Sequence, residues 1–463
     1  MTINREEQAK FMGEQPVGRL LVRFSIPAVT GMFVNASYGV IDSVFVANVF
    51  GRDGLTAVSL TLPIMMIMLS AGMMIGIGTS TLLSIRIGQN RMDEAERLLG
   101  TAFFLFFLIT VLFMTFGLIF IEPLLRFFGA TPLIMPLAKR FLRIIICGTI
   151  FMQISFGVNS FLRGEGKVHV AMITLILSAV VNILFSWFFL FVLKTGIEGP
   201  AIANLIAQGA SSVWIAWYYL SGRTLLRWRL KYVRFDVPQV KQICAMGLAP
   251  CFMNVANCIV VAIINNQFNR YGTERWSGED GIAVMRICQS IFMLVFSVIL
   301  GISQGGQPVV GYNTGAKKYD RVARTLLLML TFTIILNTVY TLFVLIFPHL
   351  VSSPFLIKNP NLTPLTIRAI RIFMLLFPCV GIAVITANYF QATGRAYAAL
   401  AITLIRQIVF LIPLYWILPY YWGFDGIWIA SPITDGIAAI LCMTLLVQEF
   451  RRFRTLNIRN EGS

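Results

Sequence analysis

The chain has 463 residues, of which 57% are hydrophobic and only 12% charged, with a mean hydropathy of +0.80 and a formal net charge of +17. So little polar residue cannot clothe a soluble globule of this length, which excludes the soluble domain classes and places the chain in a bilayer.

A short tail, 1–18, precedes six apolar segments near residues 20–48, 57–84, 99–121, 138–162, 170–193 and 198–221. A basic linker, 222–240, leads into six more near 241–268, 281–305, 321–347, 367–392, 397–418 and 425–448, and a basic tail, 449–463, closes the chain. Each segment is at or above the roughly 20 residues that a helix needs to cross about 30 Å of hydrocarbon, and an even count leaves both termini on one side. The expected fold is all-α and membrane-spanning, with an N-lobe over 19–221 and a C-lobe over 241–448. The first segment is long and lacks a small-residue cleavage site behind a short core, so no cleavable signal peptide is expected.

The second set echoes the first at an offset of about 227 residues. Gly88-Gln89-Asn90-Arg91-Met92-Asp93-Glu94-Ala95-Glu96-Arg97 aligns with Gly315-Ala316-Lys317-Lys318-Tyr319-Asp320-Arg321-Val322-Ala323-Arg324, sharing the glycine, aspartate and arginine. Asn159-Ser160-Phe161 matches Asn388-Tyr389-Phe390, Ile173-Thr174-Leu175-Ile176 matches Ile402-Thr403-Leu404-Ile405, and Gly196-Ile197-Glu198-Gly199 matches Gly423-Phe424-Asp425-Gly426. Six crossings return the chain to its starting side, so the repeats insert the same way round, an organisation typical of secondary transporters with the substrate path between the halves.

The positive charge would suit nucleic acid, but its placement argues otherwise. Roughly 24 Lys and Arg fall in the tails and the even-to-odd loops, against roughly 11 on the opposite face, the positive-inside pattern of a membrane protein with cytoplasmic termini. The densest cluster, Arg223, Arg227, Arg229, Lys231 and Arg234, lies in the linker, where it can also meet anionic lipid head groups. No nucleic-acid partner is expected, and the protein is read as a monomer among membrane lipid.

Catalysis finds no footing in the sequence. The seven cysteines lie in or beside apolar segments, and Cys244, Cys251 and Cys258 share a helical face as packing residues. His169 and His349 are isolated, so no metal site is expected. Gly164-Glu165-Gly166-Lys167 lacks the first glycine and the Ser/Thr of a phosphate loop, and neither a Ser/His/Asp set nor a paired-carboxylate face appears. The chain is read as a non-enzyme without a cofactor, driven by an ion gradient.

A gradient needs an intramembrane group that changes charge or holds a cation. The ionisable residues well inside the segments are Asp42, Arg286, Arg406 and Asp435, each costing roughly 2.5–3.5 kcal/mol at bilayer depth without a partner, a wet cavity or a function. At about 1.5 Å per residue, Asp42 lies about 22 Å beyond Pro27, with Asn182 about 18 Å, Ser186 about 24 Å and Asn204 about 21 Å from the inner face. A carboxylate, two amides and a hydroxyl in one layer can bind a proton with water, or a small hard cation. The repeat carries Asp42 onto the Asn265 region and Ser186 onto Tyr415, so the second half has no matching acid. Arg406 and Asp435 stand where the first half has Leu177 and Gln208, and are read as an internal ion pair.

Asp42-Ser43-Val44-Phe45-Val46 closing the first helix, Arg163-Gly164-Glu165-Gly166-Lys167 after the fourth, and Gly301-Ile302-Ser303-Gln304-Gly305-Gly306-Gln307-Pro308 into Gly311-Tyr312-Asn313 resemble the multidrug and toxic compound extrusion (MATE) family over nearly the whole chain. The glutamine-glycine stretch is similar to the bacterial branch with staphylococcal-type multidrug exporters. The resemblance implies a V-shaped pair of bundles in the bacterial inner membrane, exporting bulky, often cationic drugs or metabolites in exchange for H+ or Na+. It also implies an ion site made from a first-helix aspartate, a fifth-helix asparagine with an aspartate four residues on, and a sixth-helix polar residue. Asp42, Asn182 and Asn204 match those positions; Ser186 replaces the second acid, which favours protons because ligand charge does much of the work of cation binding. The seventh-helix glutamate of another branch is missing, Asn254 and Asn257 being nearest.

Substrate-cavity candidates are the polar Asn35, Gln153, Asn254, Asn257, Arg286, Gln289, Gln304 and Gln307, with Met65 and Met68 as pliable apolar surface. Two rival functions are a flippase of lipid-linked glycans, which would line its cavity with cations such as Arg286 and Arg406, and an uncoupled receptor or scaffold.

Overall fold

The computed structural model describes residues 11–132, 134–356 and 360–461, without the side chains of 39–40, 42–44, 46–48, 50–56, 230, 354–356, 360, 454 and 456–461. Among the described residues every regular element is helical. Helix runs from Val17 to Gly88, and its apolar stretches Val17–Tyr38 and Ala57–Gly88 correspond to the first two spans. Met92–Ile119, Val168–Val192, Val237–Arg270, Gly278–Gly315 and Tyr319–Ile346 serve as the third, fifth, seventh, eighth and ninth. Glu198–Leu220, the sixth, is long enough to cross but carries more polar residues. The apolar run Ala396–Phe453 holds the last two, divided at Gly423, whose φ of 55° and ψ of −133° suit only glycine.

The fourth and tenth spans are broken where the sequence suggests continuous helices. Met135–Cys147 meets Thr149–Gly164 at 56°, and Thr363–Phe373 meets Phe377–Ala392 at 47°. At the first break a Cβ on Gly148 would come within 2.4 Å of the Leu205 side chain, so the bend lays the fourth span against the sixth. At the second, Pro378 starts the new helix, where its missing N–H goes unneeded. Bends of this kind leave the apolar content unchanged, which is why hydropathy passes over them.

Lipid tails are as apolar as leucine, so helices in a bilayer associate through close packing and hydrogen bonds rather than through hydrophobic exclusion. The interface between the halves follows that rule. A Cβ on Gly88 would sit 2.0 Å from the carbonyl oxygen of Tyr312, and one on Gly315 would sit 2.1 Å from the carbonyl oxygen of Ile85. Gly88 and Gly315 are repeat equivalents, as are Ile85 and Tyr312, so the contact is reciprocal. Gly78 closes on the Ile243 carbonyl, Gly247 on Met74, Gly301 on Val29 and Gly305 on Ser25. Gln307 Nε2 donates to Thr81 Oγ1 at 2.9 Å across the same seam. At these positions the two halves are in direct backbone contact.

Two connectors cross the seam in opposite senses. The segment before the first span reaches the second half: Asn313 Nδ2 and Arg321 each donate to the Met12 carbonyl at 3.2 Å, Arg321 also to Gln15 at 2.6 Å, and Lys318 Nζ to Gly13 at 3.0 Å. The linker before the seventh span packs instead on the first half, where Glu165 accepts from Leu225 N–H at 3.0 Å and Glu96 from Arg227 N–H at 3.1 Å.

Candidate functional site

The fifth span carries Thr174, Ser178, Asn182 and Ser186 at intervals of four, which puts them on one helical face, and all are buried. The sixth span answers with Asn204, Gln208 and Ser212 at the same interval, Asn204 half-buried and the other two buried. One end of this interface is closed by hydrogen bonds: Ser211 Oγ donates to the Thr174 carbonyl at 3.2 Å, and Ser212 Oγ to the carbonyls of Gln208 at 2.8 Å and Phe151 at 3.0 Å.

Asn182 is 2% exposed, and among the described residues neither Nδ2 nor Oδ1 has a partner; Oε1 of Gln208, in a residue 4% exposed, is likewise unmet there. A buried amide left unpaired costs roughly 1–3 kcal/mol, so this pair of groups is an uncommon feature to retain.

The side chain of Asp42 lies outside the described residues. The helix that carries it runs beside the fifth span. A Cβ on Gly31 would come within 3.0 Å of Leu175, and further out the rings of Phe45 and Phe191 meet edge to face at 5.8 Å. Interpolating between these contacts brings the turn at residue 42 level with the turn holding Ser186.

Arg406 and Asp435 are brought together in the second half. Arg406 Nε and a terminal guanidinium nitrogen donate to Asp435 Oδ1 at 3.0 and 2.7 Å. Arg406 sits in a π-helical stretch, Ile405–Leu411, with Gln407, whose Nε2 donates to Asn257 Oδ1 at 2.9 Å. Of the other cavity candidates, Gln153 is 1% exposed and ties the fourth span to the second through the Met68 carbonyl at 3.1 Å. Met68 is 2% exposed inside an apolar cluster with Ile64, Leu125 and Leu142, against which Met65 also packs, so both methionines are interior packing of the first half. Asn254 bridges Met73 Sδ at 3.6 Å and the Pro250 carbonyl at 3.1 Å, and Gln307 is the seam contact to Thr81. Asn35, Gln289 and Gln304 are half-buried, with Gln304 Oε1 unmet among the described residues, and Arg286 is exposed.

Ser178, Gln208 and Gln407 escaped the sequence reading. A signal for the first two was available, since they stand four residues from Asn182 and Asn204 on the same faces.

A family model described as MatE matches residues 27–188 and again residues 255–417. The chain belongs to the MatE family. The MatE match falls once in each half, on the same stretch of the repeat. Among curated relatives, the FAD transporter of Shewanella oneidensis is 25% identical over 444 residues, covering 93% of this chain and 94% of the relative. The multidrug export protein MepA of Staphylococcus haemolyticus is 22% identical over 442 residues, covering 96% of each. A solved outward-facing multidrug resistance MATE transporter of the MOP superfamily superposes with a TM-score of 0.90 at 24% identity over 99% of both chains. The MatE chain therefore has the MATE fold of twelve helices in two repeats, and it is a multi-pass membrane protein of the MATE transporter type.

Proposed function

We propose that this MATE-type transporter is a cation-coupled antiporter, exporting bulky cationic or amphiphilic small molecules by alternating access across a bacterial inner membrane, with its termini in the cytoplasm. The coupling ion is a proton carried by Asp42 and held with Asn182, Ser186 and Asn204. The observation that carries this reading is the pair of Asn182 side-chain atoms, buried and unmet among the described residues, one helical turn from the level that the first helix reaches near residue 42. Amide and hydroxyl groups in a dry layer supply donors and acceptors but no charge, so a single acid entering it decides the charge of the whole layer. Taking up a proton neutralises that layer, and releasing the proton restores a charge that only a wet, open state tolerates. The two ends of the cycle thus favour different conformations, as coupling requires.

The multidrug exporters among the relatives support a broad substrate range, and the exposed Arg286 together with the FAD-transporting relative supports a second reading, an anionic aromatic substrate such as a flavin nucleotide. Arg406 adds little to an anion-binding cavity because Asp435 already meets its charge.

Efflux measured in everted vesicles, with and without a proton uncoupler, tests both points. Asp42→Asn is expected to leave folded protein with no gradient-driven efflux, and wild-type export by that variant would remove Asp42 from the mechanism. Running cationic dyes and flavin nucleotides side by side distinguishes the two substrate classes.

A further inference from the structure

The linker is pinned, so the side chains it turns outward hold fixed positions. Leu225 and Leu226 are 3% and 0% exposed, and the Glu165 and Glu96 bonds hold the backbone on either side of them. Arg229 pairs with Glu96 at 2.9 Å. The Tyr232 carbonyl lies so close to the third span that a Cβ on Gly100 would come within 2.4 Å of it, and Asp236 caps the seventh span by accepting from Gln239 N–H at 3.4 Å.

Four cations on this strap, Arg223, Arg227, Lys231 and Arg234, are exposed. Among the described residues none of them has a carboxylate within ion-pair distance. The nearby acids Glu96 and Glu165 are turned inward and occupied. Beside the cations, Trp228 and Phe235 are 40% and 53% exposed, their rings lying 5.0 Å from Phe103 and 6.0 Å from Phe104 of the third span. That span continues outward with Phe107, Leu108, Val111 and Leu112 exposed, and Arg223 covers the exposed ring of Trp217 on the sixth span at 5.3 Å. The aromatic rings of the strap therefore prolong the lipid-facing surface to its edge, and the uncompensated cations stand just beyond that edge.

Amphipathic rings settle at the headgroup level of a bilayer, and basic side chains beside a membrane draw anionic lipid, each strengthening binding by about fivefold. We propose that the linker is a binding site for anionic phospholipid head groups in the leaflet facing the termini. Arg223, Arg227, Lys231 and Arg234 take the phosphate charge, and Trp228 and Phe235 rest against the glycerol and upper acyl groups. A soluble phosphate would satisfy the cations alone, whereas a lipid also covers the two exposed rings, and the continuity of those rings with the spans favours the lipid.

Thermal unfolding of the full-length protein in neutral detergent, titrated with phosphatidylglycerol, phosphatidylcholine or inorganic phosphate, tests the site. Phosphatidylglycerol is expected to raise Tm saturably, and the other two to leave it unchanged at matched concentration. The combined variant Arg223→Gln, Arg227→Gln, Lys231→Gln, Arg234→Gln is expected to keep its lipid-free Tm and to need more than about tenfold higher phosphatidylglycerol for the same shift. A wild-type response in that variant, or an equal shift with inorganic phosphate, overturns the proposal. Should the combined variant not fold, Arg227→Gln and Arg234→Gln are compared singly by counting retained phosphatidylglycerol in native mass spectra; occupancy equal to wild type also overturns it.

Discussion

Two guanidinium nitrogens of Arg406 converge on one carboxylate oxygen of Asp435, with the side chains only 18% and 8% exposed. Removing one partner from such a pair leaves a buried charge and costs about 3–5 kcal/mol, whereas replacing both with apolar groups is often close to neutral. Arg406→Leu and Asp435→Leu are each expected to lower Tm, and the double variant to recover most of the loss. Additive damage in the thermal melts would show that the two do not act as a unit.

Ser186 is buried in the row that holds Asn182. Placing an acid there adds a charged oxygen ligand of the kind that binds sodium. Ser186→Asp is expected to make efflux rise with sodium concentration, and an unchanged sodium response would separate this layer from the coupling ion.

At the seam, a methyl group on Gly88 or Gly315 would collide with backbone oxygen rather than with a side chain that can swing away. Overpacking of this kind costs about 1–3 kcal/mol. Gly88→Ala and Gly315→Ala are therefore expected to slow transport by about tenfold at matched expression. Gly209→Ala, with open space around its Cβ, is expected to be silent.

Burial pushes the Glu165 carboxyl up to about 7, against the lowering effect of the Tyr219 hydroxyl and the N–H groups of Leu225 and Leu226. With its folded value above the ordinary 4.5, the group takes up a proton on folding at intermediate pH. Its contribution to stability is therefore greatest below the free value and falls as pH rises through about 7. Tm is expected to drop between pH 6 and pH 8 in the wild type, and the drop to shrink in Glu165→Gln. A slope of equal size in the variant would assign the pH dependence to another group.

Arg321 holds the N-terminal segment through the Met12 and Gln15 carbonyls while also donating to Asn313 Oδ1 at 3.0 Å. Arg321→Ala is expected to expose residues before Pro16 to limited proteolysis several-fold faster, leaving the rest of the digest pattern unchanged.

Much of this architecture was legible in sequence because a bilayer imposes simple demands. Apolar length marked the spans, and the cost of intramembrane charge singled out Arg406 and Asp435 as partners although 29 residues separate them. The breaks at Gly148 and before Pro378 were not legible, since a bend changes direction without changing composition. Nor were the functions of Met68 and Gln153 as packing and cross-bracing, which depend on which neighbour each meets. The crossing of the two connectors was hidden for the same reason: Asn313 and Arg321 look like ordinary loop-proximal polar residues until the backbone carbonyls of Met12 and Gln15 arrive beside them.

The reciprocal contact of Gly88 with Tyr312 and Gly315 with Ile85 has the self-complementary form of a two-fold dimer interface. In a pair of identical copies every substitution at such a face is made twice, so a new acid in one copy brings a second, repelling acid in the other. Fusing the copies into one chain lifts that constraint. Each half can then hold what the other lacks, the acid Asp42 in one sequence and a neutralised pair at Arg406 and Asp435 in the other, while the shared seam keeps the symmetry that both halves turn on.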